Sequence, residues 1–154
     1  MALQFVSSGG DPQVGNLATP INSSGLVRAW INNLPAYRPG LVAKRRGLEV
    51  GMAHGYLLYG PFTVLGPLRD TAQALGVGLI STLGLVLILT ICLGLYSRVG
   101  VGKPIATFTT PNPPECFSTA AGWKDFKKGF FVGGSGGAFV AYLLTIGLGV
   151  LGLF

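Results

Sequence analysis

Charged residues are what this sequence has least of. Of 154 residues, 11 are Lys or Arg and 5 are Asp or Glu, together 10%. Soluble domains are about one-quarter charged, so the chain has too little polar surface to cover itself in water. Hydrophobic residues make up 49% and the mean hydropathy is +0.57, which also excludes a disordered chain. The 25 glycines follow no G-X-Y period and prolines number 10, so collagen is excluded. Two cysteines, Cys92 and Cys116, give no CxxC spacing and no disulfide framework. A single histidine, with so few acids, precludes Ser-His-Asp chemistry. No P-loop, no GxGxxG after a strand and no zinc spacing occurs. The opening MALQFVSSGGDPQVG has no basic n-region and no apolar core. It is thus expected to be neither a signal peptide nor a transit peptide. What remains is a small membrane protein in one domain.

The apolar residues fall into long runs. Residues 75–97 are 23 without a charge and form the clearest transmembrane helix. Residues 129–154 form a second charge-free run, preceded by Lys124, Lys127 and Lys128. Residues 48–67 hold Glu49 and His54 but are otherwise apolar, small or aromatic. Twenty residues at about 1.5 Å each span roughly one hydrocarbon thickness. Pro61 is expected to kink or end that helix. Ahead of it, residues 1–21 look extended. Leu26, Val27, Trp30, Ile31 and Leu34 then recur at helical spacing, as in an amphipathic surface helix capped by Asn22, Ser23 or Ser24 and ended by Pro35 and Pro39.

This gives one membrane domain over 1–154. An inner arm covers 1–47, span one 48–67, an outer loop 68–74 and span two 75–97. An inner loop covers 98–128, and span three with the outer C-terminus 129–154. In that inner loop Ser118 or Thr119 is expected to cap a short helix through Trp123 and Phe126. The fold class is an all-α membrane protein with three transmembrane helices and short amphipathic surface helices. Positive charge supports it. Arg28, Arg38, Lys44, Arg45 and Arg46 lie in the arm, Arg98, Lys103, Lys124, Lys127 and Lys128 in the second loop, and Arg69 alone in the first. Ten against one puts the N-terminus inside and the C-terminus outside. The basic balance therefore reads as membrane orientation, with no nucleic-acid partner.

An ionisable group inside a membrane is costly and marks function by default. His54 sits about a third of the way into span one. A neutral imidazole can be the axial ligand of a metal in a planar macrocycle. A chlorophyll magnesium needs one axial ligand, whereas a haem between helices commonly takes two histidines. A hydrogen bond to a neighbouring helix is the simpler alternative. Glu49 follows Arg45 by four residues and Arg46 by three, which suits an ion pair. It lies about 140° around the helix from His54, so the two cannot readily serve one metal. Gly47, Gly51 and Gly55, and likewise Gly129, Gly133 and Gly137, are spaced by four, which allows close helix packing. In the outer loop Asp70 suits calcium, an ion pair with Arg69, or, with Thr71, a helix cap.

Several segments together carry a resemblance. These are GNLATPINSS (15–24), RPGLVAKRRGLEVGMAHGYLLYGPF (38–62), LGPLRD (65–70) and GWKDFKKGFFVGGSGGAFVAYLL (122–144). Over nearly its whole length the chain resembles the L subunit of photosystem I, reaction-centre subunit XI, of cyanobacterial type. The resemblance implies a non-catalytic, multi-pass subunit of the thylakoid membrane. It implies bound antenna chlorophyll a and contact with β-carotene. His54 and Glu49 match the family's chlorophyll-ligating positions, and Asp70 with the Pro67 carbonyl matches a calcium position. The implied partners are the large core subunits and small membrane subunits of photosystem I, lipid, and copies of the chain around a three-fold axis, and bulk at Gly133 or Gly137 is then expected to weaken trimerisation or docking. Two other functions are weighed against it: a pigment-free assembly or anchor subunit, and a haem-bearing membrane anchor.

Overall fold

The computed structural model describes residues 6–8, 15–99, 102 and 104–151. Lys103 and the outermost residues of the arm and C-terminus, all included in the expectations above, lie outside them. In the arm, β1 (Ser7–Ser8) pairs antiparallel with β2 (Leu17–Ala18). Four helices follow: α1 (Gly25–Asn33), α2 (Ala43–Val64), α3 (Ala74–Tyr96) and α4 (Ala120–Val150), with a 3-10 turn at Glu115–Ser118. The chain is mostly helical, as expected.

Helix ends follow local chemistry. Ser24 caps α1 by accepting the Val27 N–H, and Thr119 caps α4 by accepting the Gly122 N–H. Neither Asp70 nor Thr71 caps α3. The cap position is Gln73, without a side-chain bond, and the Thr71 hydroxyl donates back to Leu68 O. α2 starts five residues earlier than expected and takes in Lys44, Arg45 and Arg46. Pro61 does not end it, because it lies in the last turn and removes one hydrogen bond there. The short helix expected near Trp123 is not separate. With nothing to break it between Ala120 and Val150, it is the first third of α4.

α3 and α4 are long and apolar enough to cross a membrane. α2 does not reach that standard on composition. Glycine, tyrosine, Glu49, His54 and Pro61 dilute its aliphatic content, and its first turns are basic.

α2 and α4 are held together by two facing glycine rows. A methyl on Gly47, Gly51 or Gly55 would overlap the carbonyl oxygens of Phe126, Phe130 and Gly134. In return, a methyl on Gly129, Gly133 or Gly137 would overlap the carbonyls of Lys44, Leu48 and Met52. Both series ascend together, so the helices run parallel. The close helix packing expected of both rows is thus borne out, and Gly133 and Gly137 are spent inside the chain and not on its outer surface. α3 runs back between the ends of the pair. Gly78 faces Thr63 near the end of α2, Val86 packs on Gly134, and Gly94 faces Lys127 near the start of α4. The core has two clusters, Tyr59 with Leu79, Ala138 and Ala141, and Val86 with Phe117, Phe126 and Phe130.

Replacing Gly51 with Ala is expected to cost about 1–3 kcal/mol or more, because backbone cannot move aside as a side chain can. Gly84→Ala, which meets open space on α3, should be neutral or stabilising by up to about 1 kcal/mol. Protease resistance on heating, compared across the two variants, checks the contrast. Equal resistance would contradict the packing account.

Candidate functional site

The site is built from the middle of α2, the end of α3 and the start of α4. His54 projects from α2 between α3 and α4. Its Nδ1 lies 2.8 Å from the carbonyl oxygen of Val50, one turn back. A carbonyl can only accept, so neutral His54 carries its proton on Nδ1 and leaves Nε2 as a bare lone pair. Phe130 on α4 meets the imidazole edge to face, centroids 5.4 Å apart, and limits its rotation.

His54 lines a cavity of about 1010 Å³ with Val50, Leu89, Cys92, Leu93 and Phe130. That is at the upper end of small-molecule sites, roughly 300–1,000 Å³. Aromatic rings close its far side. Trp123 sits 4.9 Å from Tyr96 and 4.9 Å from Phe117, and 5.5 Å from Phe126. The Trp123 indole N–H is satisfied by Phe117 O at 2.8 Å, which leaves a flat apolar wall. Trp123 and Phe126 were expected on one helix from the sequence; Phe130, one turn on, was not singled out. Phe117 and the residues of the proline-rich loop on the same cavity, such as Pro113 and Pro114, carried no signal of their own.

Glu49 lies on another face of α2. Arg45 Nε donates to its Oε1 at 2.7 Å, and Arg38 donates to Oε2. The pair with Arg45 was expected; the one with Arg38, eleven residues away, was not. Arg46 does not join. It is 5% exposed and donates to the carbonyls of Pro35 and Ala36 at 3.0 and 3.1 Å. Its Nε is buried with no partner among the described residues. Arg46 therefore ties the end of the arm to the first turn of α2, a role the sequence did not signal.

Asp70 and Pro67 lie in the α2–α3 connection, far from His54 along the bundle. The Asp70 side chain is 85% exposed and its ion pair with Arg69 is 3.5 Å. Gly66 O and Leu68 O already accept from Arg69 N and Thr71 N. Among the described residues no three His, Cys, Asp or Glu side chains gather as a metal cluster. Cys92 and Cys116 are free.

A family model described as photosystem I reaction centre subunit XI matches residues 4–150. The chain belongs to that family. It is 61% identical over 142 residues to photosystem I reaction center subunit XI of Crocosphaera subtropica, covering 92% of this chain and 91% of the relative. Against the protein of that name from Picosynechococcus it is 60% identical over 146 residues, covering 95% and 96%. Against that of Synechococcus elongatus it is 58% identical over 147 residues, covering 94% and 89%. The family resemblance read from the sequence segments is thus borne out across nearly the full chain.

Arg46→Leu is expected to destabilise the protein by about 1–3 kcal/mol in all, because the half-buried carbonyls of Pro35 and Ala36 lose their donor and the tie between arm and α2 is cut. The loss should appear first as proteolytic cutting between α1 and α2. Cutting no faster than in the parent protein would rule out the tie.

Proposed function

We propose that the chain is a non-catalytic, three-span subunit of photosystem I in the thylakoid membrane, and that it holds chlorophyll a at His54. The bare Nε2 carries this reading: a lone pair fixed in direction by the Nδ1 bond, on a cavity walled by hydrocarbon and aromatic rings. One nitrogen donor suits the single open axial position of a magnesium tetrapyrrole. Bound there, chlorophyll would absorb light and exchange excitation with neighbouring pigments. The chain's own contribution is to orient the donor, exclude water and set the local dielectric.

The three-span reading rests on the parallel α2–α4 pair. If α4 crosses the bilayer, α2 packed along it in the same direction lies at the same depth. Glycine against backbone hides its polar groups. The basic starts of α2 and α4 and the end of α3 then share the inner side, which agrees with the positive-inside rule.

Glu49 is a second candidate ligand. Two guanidinium donors occupy one lone pair on each oxygen, and a carboxylate has about four such sites. A magnesium there would share the group with Arg38 and Arg45. For calcium, Asp70 is the one acid on its loop, and Pro67 O is the carbonyl between two that already accept. A calcium takes 6–8 oxygens, so the remaining donors would come from another chain or from water. Contact with β-carotene would fall on the exposed aliphatic face of α3, at Ile80, Ile88 and Ile91. Contact with other copies around a three-fold axis would fall on the end of α4, where Leu143 is 62% and Val150 83% exposed. A heterologous contact closes into a ring when its rotation is 120°.

His54→Leu should remove the His54-held chlorophyll from the purified complex while the subunit stays, and the closer mimic His54→Gln should lose the same pigment or bind it more weakly. Pigment counts by chromatography test this. An unchanged chlorophyll count in both variants would favour a pigment-free anchor. A haem signal in the reduced-minus-oxidised spectrum would favour the haem-bearing anchor. Leu143→Glu should shift the complex from trimer to monomer on sucrose gradients without changing pigment content. An unmoved trimer band would place the contact elsewhere.

A further inference from the structure

A second concavity lies on the outer side of the α2–α4 pair, away from His54. Its volume is about 640 Å³ and its lining is apolar. Two helical rows form its walls: Leu48, Met52 and Tyr56 on α2, and Val132, Gly136 and Val140 on α4. Members of each row are four residues apart and so lie one above another. Extending each row one turn toward the basic end reaches Lys44 on α2 and Lys128 on α4. The two lysines lie one turn beyond the lining residues at the same end of the pair, because Gly129, next to Lys128, is packed on the backbone of Lys44. Both are exposed. Lys44 has no ion pair among the described residues, and Lys128 meets Asp125 at 3.7 Å with both side chains 56% exposed. Lys124, also exposed, adds a further positive charge nearby.

From this arrangement we infer an anionic glycerolipid site on the α2–α4 face. Its acyl chain lies in the groove, and its headgroup sits between Lys44 and Lys128. The charge and the groove each restrict the occupant. Among its lining residues the Tyr56 hydroxyl is the one side-chain hydrogen-bonding group, and none is a carboxylate or imidazole that could hold a pigment's metal. Its lining runs about 12 Å from Val132 to Val140 at the helical rise, and about 18 Å with the added turn to Lys128, a length suited to an acyl chain. That end of the pair holds two cations at the level where headgroups lie, the arrangement by which basic pockets between membrane helices hold anionic lipid. Gly136 keeps the groove open at mid-length: a Cβ there meets nothing within 4 Å, unlike its neighbour Gly137. The site can therefore be filled without disturbing the helix contact.

The inference rests on the reading that α2 and α4 cross a membrane, and the test keeps the two apart. Complexes carrying Lys44→Gln with Lys128→Gln, or Gly136→Leu, are purified, washed in detergent and extracted. Their lipids are measured by mass spectrometry against chlorophyll. Both variants should lose the same anionic glycerolipid relative to the parent complex, and Lys44→Arg with Lys128→Arg should retain it. Retention of that lipid in Gly136→Leu, or its replacement in the measurements by loss of a carotenoid or a neighbouring subunit, would overturn the site. Carbonate extraction of the membranes reports separately on insertion. Release of the parent protein by carbonate would refute the membrane-spanning reading, whereas a retained protein with unchanged lipid would refute this site alone.

Discussion

Direct backbone contact between α2 and α4 is the constraint on which the rest of the molecule depends. Two rows of glycine bring the helices so close that each row lies against the other helix's carbonyls. At such separation Cα–H groups can approach those oxygens, and each such contact is worth about 0.5–1 kcal/mol. Dispersion adds over the whole interface. Lipid tails are as apolar as leucine, so close fit, and not burial of oily side chains, holds helices together in a bilayer. This agrees with the buried residues of α2 and α4, which are dominated by glycine, alanine and ring carbon in place of large aliphatics.

The contact also fixes what lies beside it. With the glycine face of α2 committed to α4, the remaining faces point in set directions. His54 and Val50 turn toward α3 and the aromatic wall. Leu48, Met52 and Tyr56 turn outward to the second groove. Glu49 turns to the arm, where Arg38 and Arg45 meet it. Phe130, one residue past Gly129, is carried by the same packing to the edge of the imidazole. The position of the proposed ligand is thus set by backbone registry between two rigid helices, and its ring direction by one local hydrogen bond.

Much of this was legible because the relevant patterns are local. Residues 75–97 match α3 within one residue, since an uninterrupted apolar run has one solution in a membrane. The four-residue glycine spacing announced close packing, and Ser24 and Thr119 were among the caps expected. What could not be read was pairing across distance. Nothing in the spacing of Arg38 and Glu49 marks them as partners, because the turn at Pro35–Gly40 brings them together. Arg46 looked like one more surface charge until its burial against Pro35 and Ala36 appeared. The facing of Gly133 and Gly137 was ambiguous for the same reason. A small-residue row states that something approaches closely but not which helix does so. α2 was hardest to judge because the residues that make it interesting are those that lower its apolar content.

The glycine rows also govern how this protein can change by mutation. Every single-base change of a glycine codon that alters the residue introduces a larger side chain, a charge or a stop. At Gly47, Gly51, Gly55, Gly129, Gly133 and Gly137 no such step has room to be accommodated. Drift is therefore confined to the outward faces, where no neighbouring backbone stands against the side chains. A lineage can alter what this subunit touches while the distance between its two parallel helices stays the same.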